Sequence, residues 1–144
     1  MMAAASVLIV DDEVEFAGVI ADRMKSRGYA VDTAANGAEG LEKVKSKNYD
    51  AVLLDLAMPE MDGIETMKLM LEYDSTLQII ILTGYGSVQK GVEAVKMGAV
   101  DFLEKPADID ALTGMVDEAR KKRIELFDED LEKKMSDIMR KKGW

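Results

Sequence analysis

Asp11, Asp12, Asp55, Thr83 and Lys105 each stand at or just past the end of a short apolar run, in "VLIVDDE", "LLDLAMPEMDG", "IIILTG" and "DFLEKP". The chain has no cysteine and no histidine. Thiolate, disulfide and imidazole chemistry are therefore excluded, and any nucleophile, acid, base or ligand must be an oxygen or an amine. If the runs are strands of one sheet, the five groups share an edge, where three carboxylates repel one another unless a cation joins them. A divalent metal resolves that cluster. A small set of oxygen donors favours Mg2+ retaining several waters, since Ca2+ takes about six to eight oxygens. A carboxylate beside Mg2+, a hydroxyl and a lysine suits receipt of a phosphoryl group, whose transfer depends mainly on positioning and on stabilising charge spread over its oxygens. Asp55 is then the nucleophile that forms an acyl phosphate. Asp11 and Asp12 hold the metal beside it, Lys105 meets one phosphoryl oxygen, and Thr83 offers its hydroxyl to another.

The elements that must position these groups are legible as apolar runs rich in β-branched residues: 6–10, 29–34, 51–55, 77–82 and 99–104, each followed by a segment of helical length. The first, third and fourth are almost continuously apolar, as strands buried on both faces are, while the second alternates like an edge strand. Phe16, Ala17, Ile20 and Met24 share one helical stripe, as do Val88, Val92 and Val95. Glycines punctuate the joints. The pattern predicts an α/β fold, a flavodoxin-like doubly wound five-stranded parallel sheet of order 2-1-3-4-5, with an extra C-terminal helical segment. Ligands of such sheets bind beyond the carboxyl ends of the strands, near the switch between the first and third.

A chain of 144 residues, 48% hydrophobic, fits one domain and a modest tail, divided here at 1–123 and 124–144. The net charge of −9 is uneven: residues 1–117 carry 10 basic against 21 acidic side chains, and residues 118–144 carry 9 against 7. The body is thus a poor nucleic-acid surface. No apolar run is long enough for a membrane span and the N-terminus lacks a signal-peptide pattern, so no membrane contact and a cytoplasmic location are expected.

The pieces "VLIVDDE", "LLDLAMPEMDGIE", "IIILTGYG" and "AVDFLEKP", in order and spacing, resemble the response regulator receiver domain of two-component signalling over roughly residues 5–120. The stretch "LTGYGSVQKGVEAVKMGAVDFLEKP" is most similar to receivers that precede ATPase-type transcription activators. The resemblance implies phosphorylation of Asp55 by a histidine kinase or histidine phosphotransfer protein, the backbone carbonyl of Ala57 as a further Mg2+ ligand, and a cis Lys105–Pro106 peptide. It implies a switch in which Thr83 moves toward the phosphoryl group and Phe102 fills the vacated space. The face from helix 4 through strand 5 to helix 5 then changes shape for a downstream protein target or output domain. It implies no enzyme acting on an external substrate. Ala57 and Tyr85 sit where approach of the hydrolytic water is tuned; Ala57 orients no water and Tyr85 obstructs it, so self-dephosphorylation is expected to be slow.

Each residue has an ordinary reading when taken alone. Asp11–Asp12 suit a helix N-terminus, Asp55 a strand end accepting backbone hydrogen bonds, Thr83–Gly84 a turn, Lys105 a solvated loop, and Phe102 a core. Those accidents would have to coincide at the ends of separate strands. A haloacid-dehalogenase-type phosphatase needs a second aspartate where Ala57 stands, and a flavin cradle would be repelled by the acids of "DDE". A phosphorylation-independent receiver-like interaction module is the remaining alternative, and the complete acidic set with Thr83 and Lys105 opposes it.

In the tail, Ile124, Phe127, Leu131, Met135 and Ile138 recur at helical spacing beyond the interrupting "RKKR", residues 120–123. Asp128 suits an N-cap, and Arg140 to Lys142 suit the far end of a separate helix. Continuation of helix 5 and a fold-back are both open, as are packing on the chain's own domain and a homodimer through this helix or the helix 4/strand 5/helix 5 face. Sedimentation of the full chain beside one ending at Arg123 separates them: dimerisation through the tail predicts concentration dependence only in the full chain, and identical monomers dispose of it.

Overall fold

The structure is a computed structural model that describes residues 5–56, 63–84, 88–105 and 107–141. Strands and helices alternate: β1 (Ser6–Val10), α1 (Val14–Ser26), β2 (Ala30–Ala34), α2 (Gly37–Ser46), β3 (Ala51–Asp55), α3 (Gly63–Tyr73), β4 (Ile79–Thr83), α4 (Val88–Lys96), β5 (Asp101–Glu104) and α5 (Ile109–Lys141). All pairings are parallel, in the order β2-β1-β3-β4-β5. This is the expected doubly wound topology, and it follows from strands too apolar to leave either face in water. Because side chains alternate along a strand, Leu8, Val10, Val52, Leu54, Ile79 and Ile81 meet α2, α3 and α4 through Val44, Met67, Met70 and Ala94. Their neighbours Val7, Ile9, Leu53, Ile80 and Leu82 meet α1 and α5 through Ile20, Met24, Leu112 and Val116. β2 lies at the sheet edge, but its burial does not alternate as its sequence predicts: Val31 and Ala34 are buried, Asp32 is half-buried under Lys47 and Tyr49, and Ala30 and Thr33 are exposed. Among the described residues, no helix is long and apolar enough to cross a membrane.

Two elements depart from the expectation. α4 forms, but its valine stripe faces outward: Val88, Val92 and Val95 are 37–40% exposed, whereas Gly91 and Ala94 are buried. The cause is close approach to β5. A Cβ placed on Gly91 would lie 2.7 Å from Cγ of Phe102 and 3.1 Å from Cγ2 of Thr83, so the helix turns its smallest side chains inward. The second is α5, a single helix of 33 residues: of the two courses left open helix 5 continues, and what departs is the expected interruption at the basic run. Asp128 lies inside it, so no separate N-capped helix exists. The stripe Leu112, Val116 and Ala119 does not end at the basic run but is continued by Arg123, which is buried.

Arg123 is satisfied rather than stranded. Its Nη2 pairs with Oδ2 of Asp74 at 3.2 Å, its Nη1 donates to Oγ1 of Thr76 at 3.2 Å, and its guanidinium lies 4.7 Å from the centre of the Phe127 ring. Asp74 in turn accepts from the Thr76 backbone N–H at 2.9 Å and hydroxyl at 2.6 Å. Burial opposes ionisation of Asp74, but the Thr76 hydrogen bonds and the Arg123 charge outweigh it and hold the carboxyl below its ordinary value. Tyr29 Oη, donating to Asp117 at 2.7 Å, pins α5 nearer its start.

Two consequences are measurable. Gly91→Ala gains roughly 1 kcal/mol of helix propensity, but the ring contact forces a shift that costs about 1–3 kcal/mol, so urea unfolding should show a net loss of stability. Arg123→Met leaves Asp74 without its cation and should cost about 2 kcal/mol, less than a fully buried pair because Asp74 keeps contact with water. A lowered folded-state pKa contributes stability that is fully present above the unfolded value of about 3.9 and is lost as pH falls through the folded value. The penalty of Arg123→Met measured by urea unfolding should therefore be smaller near pH 3 than at pH 7.

Candidate functional site

The carboxyl ends of β1, β3, β4 and β5 are held by backbone bonds that carry the ladders one step past the strands. Asp11 N–H donates to the Ala34 carbonyl at 3.0 Å, Leu56 N–H to the Leu82 carbonyl at 3.3 Å, and Lys105 N–H to the Thr83 carbonyl at 2.8 Å. Asp11, Asp55 and Lys105 thus leave the sheet at fixed positions along one edge. At the first residue of α3, a Cβ on Gly63 would lie 2.6 Å from the Asp55 carbonyl oxygen, so glycine is what lets α3 begin this close to the strand.

The side chains converge. One oxygen each from Asp11, Asp12 and Asp55 lie within 4.8 Å of one another, and Asp11 and Asp55 are buried while Asp12 is exposed. Lys105 Nζ lies 2.7 Å from Oδ2 of Asp11 and 3.5 Å from Oδ2 of Asp55. Burial works against the Lys105 charge, yet close contact with the Asp11 and Glu13 carboxylates and the charges of Asp11 and Asp55 hold its pKa above the usual lysine value. Asp11 Oδ1 accepts from the Glu13 backbone N–H at 2.9 Å. Its other oxygen, Oδ2, is buried and accepts no well-directed hydrogen bond among the described residues. The contact of that oxygen with Lys105 is an ion pair without hydrogen-bond alignment, so its charge is balanced while a lone pair stays available. A hard cation suits such an oxygen, and the all-oxygen donor set of Asp11, Asp12 and Asp55 fits Mg2+.

Thr83 is fully buried, and its hydroxyl donates to the Leu103 carbonyl at 3.3 Å. It touches the α4 side of the sheet through the Gly91–Phe102 contact, and Phe102 packs partly buried against that core. Ala57, Tyr85 and Pro106, with the metal-ligand carbonyl, the water-tuning pair and the cis peptide assigned to them, lie outside the described residues.

Three participants escaped the sequence reading. Glu13 Oε1 lies 3.0 Å from Lys105 Nζ, and the Phe16 ring centre lies 4.5 Å from the same ammonium. Gly91 makes room for Phe102. Only Gly91 left a signal, since glycine inside a helix is unfavourable unless something approaches closely.

The sequence of residues 7–117 matches the response regulator receiver domain model. Among curated proteins, the transcriptional regulatory protein ZraR of Klebsiella oxytoca is 42% identical over 113 residues, covering 78% of this chain and 26% of that protein. The acid tolerance regulatory protein ActR of Rhizobium meliloti is 36% identical over 120 residues, covering 83% of this chain and 62% of that one. This chain therefore spans only part of the length of these relatives. Among solved structures, a response regulator receiver domain protein from Clostridium thermocellum superposes with a TM-score of 0.81 at 28% identity, covering 85% of this chain and 98% of that one. NtrX from Brucella abortus in complex with ADP gives a TM-score of 0.79 at 26% identity, over 94% of this chain and 30% of that one. With the acidic cluster, the buried threonine and the paired lysine at the strand ends, and a family match covering most of its length, the chain belongs to the response regulator receiver domain family of two-component signalling.

Proposed function

We propose that the domain accepts a phosphoryl group on Asp55 from a histidine kinase or histidine phosphotransfer protein and so controls a downstream partner or output domain. The observation that carries this reading is the convergence of buried Asp55 with Asp11, Asp12 and Lys105 at one sheet edge. In the reaction a carboxylate oxygen of Asp55 forms a bond to phosphorus. The phosphorus–nitrogen bond of a phosphohistidine, or the phosphorus–oxygen bond of acetyl phosphate, breaks, and its electron pair leaves with the imidazole or acetate. Lys105 supplies positive charge to the incoming phosphoryl oxygens from a position already beside Asp55. Mg2+, held by Asp11, Asp12 and Asp55, would supply the charge neutralisation that lets an anion approach three carboxylates.

The switch reading rests on the contact between Thr83, Phe102 and Gly91. A Thr83 hydroxyl that turns from the Leu103 carbonyl to a phosphoryl oxygen moves its methyl away from Phe102 and changes the packing beneath α4. The exposed valines of α4, with Met97 and Val100, lie where that change reaches solvent. The chain acts on itself and on partners, with no external substrate. The relatives' names speak of transcriptional regulation, which belongs to those whole proteins. The acidic body of this domain contacts proteins, and nucleic-acid contact falls to an output module.

Incubation with acetyl phosphate and Mg2+, followed by intact mass, should show one added phosphoryl group. Asp55→Asn should abolish it and EDTA should suppress it. An adduct that persisted in Asp55→Asn would move the site elsewhere, and no adduct in the unaltered chain with any phosphodonor would favour the phosphorylation-independent module.

A further inference from the structure

An ammonium has three hydrogens, and among the described residues Lys105 has three carboxylate neighbours: Asp11 at 2.7 Å, Glu13 at 3.0 Å and Asp55 at 3.5 Å. The first two are at charge-assisted hydrogen-bond distance, and the third is long. Asp11 and Asp55 belong to the acidic cluster and are buried. Glu13 does not belong to it, and its side chain is 63% exposed. Glu13 is also the N-cap residue of α1, yet its side chain makes no capping hydrogen bond. That position favours serine, threonine, aspartate or asparagine, whose short side chains turn back onto the helix. The longer glutamate instead reaches a residue 92 positions away. One turn on, the Phe16 ring lies beneath the same ammonium, a cation–π contact that adds to the hold. The first turn of α1 is thus built as a seat for Lys105.

For Lys105 to bond a phosphoryl oxygen without losing Asp55, it must give up one of its two closer partners. Asp11 is buried and anchored by the Glu13 backbone N–H, so releasing it would strand a charge. Glu13 is largely in water already, its pairing is weak, and an arriving phosphoryl dianion would repel it. We propose that Glu13 is a positioning residue whose carboxylate stands in for a phosphoryl oxygen on Lys105, holding the lysine in the unphosphorylated arrangement and releasing it when Asp55 is modified. This rests on the reading of Asp55 as phosphoacceptor. Its consequence is that Glu13 slows phosphorylation, unlike the cluster residues, which are required for it.

Two variants of the full chain separate the idea from a general charge effect. Glu13→Ala removes the carboxylate without removing a cap, since none is made. Glu13→Asp keeps the charge but shortens the reach and suits it to capping α1. The first readout needs neither metal nor phosphodonor: a proton–nitrogen correlation spectrum of the lysine ammonium groups, with the Lys105 signal identified by its loss in Lys105→Met. A held ammonium exchanges slowly with water, so that signal should be present in the unaltered chain and lost or broadened in both Glu13 variants. The second readout is the rate of phosphorylation by acetyl phosphate at saturating Mg2+, which should rise roughly two- to fivefold in both variants, the range expected for a partly exposed ion pair. A faster Glu13→Ala beside an unchanged Glu13→Asp would assign the effect to bulk charge and overturn the proposal. An unchanged Lys105 signal in both variants, or no gain in rate in either, would overturn it as well. Absence of any adduct on the unaltered chain would instead remove the phosphoacceptor reading, and the ammonium spectrum would still report whether Glu13 holds Lys105.

Discussion

The structure turns on one cation. Three carboxylates with oxygens within 4.8 Å of one another, two of them buried, repel strongly: two like charges about 4 Å apart cost on the order of 4 kcal/mol at the effective dielectric of a protein site. Lys105, buried enough to be poorly screened and placed against Asp11 and Asp55, supplies the compensation from β5. The N-terminus of α1, which follows directly on Asp11 and Asp12, adds a partial positive charge of its own. The acidic edge therefore depends on the sheet being complete, since β1 and β3 bring the anions together and only β5, joined through β4, brings the lysine to them.

The two faces of the sheet are built differently, and the difference bears on how a change at that edge spreads. The α1 and α5 face is closed by long side chains: Ile20, Met24, Leu112 and Val116 fill it. On the other face α4 contributes only Gly91 and Ala94 to the interior, and its larger side chains point to water. A close-packed core resists small displacements, whereas a helix seated on glycine and alanine has little side-chain interlock to break. Thr83 stands at the junction, its hydroxyl on the Leu103 carbonyl and its methyl toward the Phe102–Gly91 contact. The site is thus attached by its threonine to the weakly keyed α4 part of a face whose remainder is filled by Val44, Met67 and Met70.

The strand framework was legible because it is encoded locally. Residues 6–10 and 51–55 form strands with the bounds their apolar runs suggest, and strand ends then place Asp11, Asp55, Thr83 and Lys105 by topology alone. What resisted reading was encoded in contacts distant in sequence. The α4 stripe was visible, but which side of it faces inward depends on Gly91 fitting over the ring of Phe102. Arg123 reads as one member of a solvated basic run until Asp74 and Thr76, roughly fifty positions earlier, are seen beside it. Glu13 looks like an ordinary acid near a helix start, and only the fold brings Lys105 within its reach.

The length of α5 follows from the same kind of distant contact. The segment 124–141 has an apolar stripe whose members Ile124, Phe127, Leu131, Met135 and Ile138 are 46–57% exposed. Their burial cannot be what makes it helical. An isolated helix of that length is marginal in water because its first turn must be nucleated. Here nucleation is already done: the segment propagates from a helix pinned by Tyr29 to Asp117 and by Asp74 and Thr76 to Arg123. Each added residue then gains a hydrogen bond without the nucleation cost, helped by pairs such as Asp130 with Lys134 at 3.0 Å one turn apart. The Phe127 ring against Arg123 joins the packed half to the projecting half across the point where the basic run suggested a break. The projection is therefore a continuation of the domain's own architecture, with its direction set by where Arg123 is held.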